Sequence, residues 1–177
     1  MNNIYNIQAF TASTNYEKND IISYSGAFGT LVVANVYLYC LEAHTSSGTI
    51  DSSKWGGIVV FNGKIKPHFF WEPNYDNTAS PQPKVRKITF GDGYELRMED
   101  GINALLIQYN LAFKNRSESE VTAITHFLTQ QKAVTSFVFK GRPPFYTNKL
   151  YVCEEFSVDE SFKNNFTLNG SFREVTT

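Results

Sequence analysis

Only one stretch of this chain repeats its apolar residues at helical spacing. In "SESEVTAITHFLTQQ", Val121, Ile124, Phe127 and Leu128 fall three and four positions apart, which gathers them on one stripe of an α-helix. Ser117 and Glu120 add a capping box at its start, in which the hydroxyl accepts from the amide three residues on and the carboxylate reaches back. The remaining apolar runs are short, alternate or nearly so, and are divided by turn residues, which is the pattern of strands. Aromatics are 15% of the chain, with 15 Phe and 10 Tyr, and such side chains fit a pleated surface. A mainly β protein is expected, with one α-helix packed against an antiparallel sheet or a split barrel.

At 177 residues one domain or two small ones are possible. Residues 1 to about 60 read as a small all-β module: "DIISYSG" and "TLVVANVYLYCLEA", then the polar loop "HTSSGTIDSSKW" closed by Trp55. Composition shifts after it, which places a boundary at about residue 65, with units 1–65 and 66–177. "NYDNTASPQP" reads as a loop in which Pro81 and Pro83 interrupt regular pairing. An antiparallel meander is expected from Lys84 to Phe113. The segments "TSFVFKG", "KLYVCEEFSV" and "NFTLNGSFREV" supply three more strands after the helix.

Within the meander, "TFGDGYELR" invites a ligand-loop reading. A dinucleotide fingerprint needs a third glycine opening a helix, and a phosphate loop needs Gly-Lys-Ser/Thr; neither is present. Asp-Gly between alternating strands is instead a hairpin signal, because both central residues of a type I′ turn take positive φ. Gly91, Asp92 and Gly93 are therefore assigned to a structural turn. Arg97 is left as a cation able to pair with an acid, from a neighbouring subunit or otherwise.

Sixteen basic and 17 acidic residues give a net charge of −1, so no overall field draws the chain to nucleic acid. No apolar run reaches the roughly 20 residues of a membrane helix, and "MNNIYNIQAF" lacks the order of a signal peptide; synthesis in a cytoplasm is expected. Cys40 and Cys153 sit in apolar strand contexts that suit free buried thiols better than a disulfide or a metal pair. His44, His68 and His126 show no ligand spacing. No nucleophile motif or convergent acid–base set is visible. The expectation is a non-enzymatic protein without metal or cofactor.

The order of "VRKITFGDGYELRMEDGINA", "YNLAF", "SESEVTAITHFLTQQKAVTSFVF", "KLYVCEEFSV" and "NFTLNGSFREV" resembles the phage minor tail protein family of the lambda tail protein M type, over residues 66–177. The resemblance implies a distal-tail-like structural subunit of the virion, with a fold related to tail-tube proteins, an antiparallel β-sandwich or split barrel with one α-helix. It further implies a homo-hexameric ring at the tail tip (baseplate), joining the tail tube to other tip proteins. Residues 1–60, through "NYEKNDIISYSG", "YLYCLEAHTSS" and Trp55, are similar to a chitin-binding-type carbohydrate-binding module, departing from it at Asn19, where glycine is usual. That second resemblance implies an alternative role in binding host-surface glycan, with Tyr24, Tyr37, Tyr39 and Trp55 as the rings available to stack on sugar.

Overall fold

The computed structural model describes residues 7–176; most of the N-terminal run read for a signal peptide lies outside them. The chain is mainly β with one α-helix among the described residues, and its sheets do not close into a barrel. The longer strands are β1 (Ile21–Phe28), β2 (Leu31–Cys40), β3 (Ile58–Phe61), β4 (Lys64–Phe69), β5 (Thr78–Pro83), β6 (Val85–Thr89), β7 (Glu95–Glu99), β8 (Leu105–Arg116), β9 (Phe137–Lys140), β10 (Asn148–Phe162) and β11 (Asn165–Val175). Helix α1 spans Glu118–Gln131. A seven-stranded sheet runs β3-β4-β9-β10-β11-β8-β5, and β1 and β2 form the centre of a smaller sheet.

The alternation read in the C-terminal strands sets the faces of the large sheet. Leu168, Phe172 and Glu174 of β11 and Ile107, Tyr109, Leu111 and Phe113 of β8 point to the buried side. There they meet the helical stripe, with Val121, Ile124, Phe127 and Leu128 all buried. Glu174 is accommodated because its carboxylate accepts from the Ile107 amide at 3.0 Å and from Lys149 Nζ at 2.6 Å, so a buried charge has both a hydrogen bond and a counterion. No helix among the described residues is long and apolar enough to cross a membrane.

Three local expectations are corrected. The "NYDNTASPQP" segment is not wholly a loop: β5 pairs antiparallel with β8, Pro81 opposite Ile107 and Pro83 opposite Leu105. Prolines two apart lack their N–H groups on the same side of the strand, and at the sheet's edge that side is the free one. The meander is also broken, since β8 pairs with β5 and β11 and not with β7. The capping box is half made: Ser117 Oγ accepts from the Glu120 amide at 3.4 Å, but Glu120 turns to Arg116 Nη1 at 2.8 Å. A guanidinium one turn away offers that carboxylate a charged partner, which is stronger than a neutral amide. Ser117→Ala is accordingly expected to cost about 0.5–1 kcal/mol, near the low end for a lost cap, read as a small fall in the thermal midpoint.

The N-terminal strands have their own cluster, Tyr16, Ile22, Phe28, Val33, Leu38, Cys40 and Trp55, yet Ile21 and Tyr39 reach into the large one. Tyr39 is the principal link. Its ring meets Trp71 edge-on at 5.0 Å, and its hydroxyl shares a hydrogen bond with His126 Nδ1 of α1 at 3.0 Å. Burial pushes the His126 imidazole down to about 4 and holds the Tyr39 phenol un-ionised. Strand β3 and strand β4, which contains residue 65, pair with each other and join the large sheet.

Candidate assembly interface

Beyond Pro83 and Leu105 the β5 and β8 strands part, and the chain between them stands off the sheet as a hairpin arm. β6 and β7 form a two-stranded sheet of their own, with Val85 opposite Glu99, Arg86 opposite Met98, Lys87 opposite Arg97, Ile88 opposite Leu96 and Thr89 opposite Glu95. The Phe90 amide donates to the Tyr94 carbonyl at 2.8 Å, leaving Gly91, Asp92 and Gly93 as the tip. Asp92 has φ 68 and Gly93 φ 77, the left-handed pair that Asp and Gly tolerate at least cost.

Opposed residues share a face of a hairpin, and the register divides the arm sharply. One face carries Lys87, Arg97, Thr89, Glu95 and Glu99, with Val85 opposite Glu99. There Glu95 accepts from Arg97 Nε at 2.6 Å and stands 3.9 Å from Lys87, so a single carboxylate relieves the repulsion between two facing cations. The other face carries Ile88, Leu96, Met98, Phe90 and Tyr94, with Arg86 opposite Met98 at its root; the Phe90 and Tyr94 rings are 5.8 Å apart. Phe90 is 50% exposed, Tyr94 66%, and Leu96 and Met98 about 40%. Ile102 and Leu105, at the arm's root, are exposed too. An isolated two-stranded hairpin is marginal in water, and a contiguous exposed apolar face marks an interaction site more often than scattered single residues do.

The sequence-assigned residues thus fall in two places. Gly91, Asp92, Gly93 and Arg97 come together on the arm, Arg97 paired within its own strand and two-thirds exposed. The four rings considered for sugar do not share a face. Trp55 is buried edge-on to Tyr16 at 5.0 Å, and Tyr39 is buried on α1. Tyr37 packs edge-on to His126 at 4.8 Å, while Tyr24, half-buried, donates its hydroxyl to the Ala27 carbonyl at 2.7 Å. Cys40 and Cys153 are free and buried, and burial pushes both thiols up to about 11. Among the described residues no cluster of His, Cys, Asp and Glu could hold a metal ion.

Since the tip is exposed and nothing lies within 4 Å of a Cβ built on Gly93, the cost of Gly93→Val is conformational alone, about 1–2 kcal/mol. That cost should be felt by the arm and not by the core. Faster hydrogen exchange confined to residues 85–99 is the expected result; equal exchange in the variant would contradict the left-handed tip.

Fold and arm together define a class: a mainly β protein with, among the described residues, one helix and an apolar projection that they leave exposed. A family profile described as phage minor tail protein matches residues 67–176. The chain is also 32% identical over 90 residues, 50% of its own length and 80% of the relative's, to tail tip protein M of Escherichia phage lambda. This chain belongs to the phage minor tail protein family. A structural role in the virion tail follows from that membership.

Proposed function

We propose that this chain is a distal tail subunit, which forms a homo-hexameric ring joining the tail tube to the tip complex. The observation that carries the reading is the uncovered apolar face of the β6–β7 arm, together with the similarity to a tail tip protein. A cyclic assembly has identical acceptors for identical projections, so each arm in a closed ring is covered and none is left over. The family match beginning at residue 67 supports a ring unit that starts near the proposed boundary at residue 65. Residues 1 to about 60 form an outward module, joined to the ring unit by the Tyr39–His126 contact and by strand β3, which continues into the large sheet.

Leu96→Asp with Met98→Asp places charge on the arm's apolar face without touching the core. The doubly substituted chain should keep the wild-type melting temperature, fail to form the wild-type multimer and fail to enter tails, as read by mass measurement and by labelling of virions. Location of the wild-type protein in the head, or as single copies in the tail, would defeat the ring.

A further inference from the structure

The arm needs an acceptor, and the large sheet offers one at its opposite corner. Strand β9 covers β10 only from Asn148 to Tyr151. From Val152 to Phe162 that edge of β10 has no partner strand among the described residues. Unpaired edges are templates for another strand, and proteins normally blunt them. The outermost strand β5 is blunted by Pro81 and Pro83, and β3, at the other side, is only four residues long. Neither Val152–Phe162 nor the outer edge of β6 contains a proline.

The two free edges are complementary in charge. Val152–Phe162 carries Glu154, Glu155, Asp159 and Glu160 and no base, whereas Lys84–Phe90 carries Lys84, Arg86 and Lys87 and no acid. Glu154 is engaged by Arg173 and Lys87 faces Glu95; Asp159, Glu160, Lys84 and Arg86 make no ion pair among the described residues. Apolar side chains accompany the charges on both sides, with Val158 and Phe162 exposed on β10 and Phe90 on the arm.

Position excludes pairing within one chain. The arm leaves the sheet at the Leu105 end of β8. Along β8 the register with β11 runs from Gln108 opposite Arg173 to Arg116 opposite Phe166, and Phe166 in turn faces Glu160 of β10. The free stretch of β10 therefore extends toward the end of the sheet away from the arm, on the far side of β11. A projection and a receptor at diagonal corners make a head-to-tail contact, the kind that repeats into a ring.

Resting on the assembly reading above, we propose that β6 of one copy adds as a strand to Val152–Phe162 of the next. Backbone hydrogen bonds along the shared edge supply affinity, and the basic-on-acidic alternation selects partner and register. Lys84→Glu with Arg86→Glu makes an acidic arm, and Asp159→Lys with Glu160→Lys makes a basic edge. No ion pair among the described residues is lost in either. Each variant alone should melt like the wild type but sediment as a single chain, and an equimolar mixture should regain the wild-type multimer, because each arm then meets an edge of opposite charge. Wild-type assembly by either variant alone, or a mixture that stays monomeric beside an intact wild-type multimer, would overturn this contact and leave the ring standing. A wild-type chain that is single both in solution and in the virion tail would defeat the ring and the contact together.

Discussion

Phe69→Ala is expected to destabilise the chain by about 3–5 kcal/mol, the range for truncating a buried Phe, seen as a fall in the urea midpoint at an unchanged slope. Phe69 is 1% exposed and ends β4 opposite Phe139, where the large sheet makes its parallel pair. Its ring lies 5.0 Å from Phe172, 5.2 Å from Trp71, 5.6 Å from Phe127 and 5.7 Å from Phe113. Those rings come from β11, the segment after β4, α1 and β8, so one side chain touches the helix and three parts of the sheet region. Phe172, Trp71 and Phe127 cannot move into the space that Ala leaves without losing an edge-to-face contact elsewhere, since Phe172 also packs on Phe137 and Phe139, Trp71 on Tyr39 and Phe127 on Phe137. A cavity that cannot collapse puts the cost toward the upper end. Ile102→Ala, at a fully exposed site, should stay within about 0.5 kcal/mol. A Phe69→Ala loss no larger than that control would show that this aromatic cluster does not hold the sheet to the helix.

Much of this architecture is written locally. The stripe of Val121, Ile124, Phe127 and Leu128 can be satisfied only by a helix on an apolar surface, and the sheet supplies it. Alternation in "NFTLNGSFREV" assigns Leu168, Phe172 and Glu174 to one side before any partner is known. Other features depend on which strand meets which, and local sequence is silent about that. Pro81 and Pro83 argue against a strand unless the strand is an edge, and β5 becomes one only because β8 turns to it and away from β7.

The candidate interface shows the same division. A turn at Gly91–Gly93 is legible because two left-handed residues are needed there. The apolar face is not legible from β6 alone, where Ile88 is flanked by Arg86 and Phe90. It emerges when the register sets Ile88 against Leu96 and Arg86 against Met98. A signal was nonetheless available: Leu96 and Met98 alternate with Glu95, Arg97 and Glu99, so β7 is amphipathic by itself. What the sequence could not supply is that no other described part of the chain covers that face.

His126 lay on the helix with no ligand spacing to notice, and it makes the strongest expected pH dependence. As pH falls from about 6.5 toward 4, the folded chain should lose roughly 3 kcal/mol of stability through this group, at ~1.4 kcal/mol per unit. The direction follows from burial. His126 is 1% exposed, and its imidazole is pushed from 6.5 down to about 4 because the charged form would lose its hydration. In the window between those values the unfolded chain binds a proton that the folded chain refuses, so acid favours unfolding; above the window the contribution is fully present. Tyr39, Tyr37 and Gln130 surround the ring, and none supplies a negative charge to rescue the imidazolium. His68, also lowered by burial, adds in the same direction. The carboxylates whose partners lower them, Glu42, Asp51 and Asp76, change charge only below the usual carboxylate range, so the upper part of the window belongs to the histidines. His126→Phe should flatten the slope there, at a cost of about 1–3 kcal/mol at neutral pH for the Tyr39 hydroxyl left without its hydrogen-bond partner. A proton NMR titration of His126 with a midpoint near 6.5, or an unchanged slope in the variant, would show that the junction between α1 and β2 is open to water.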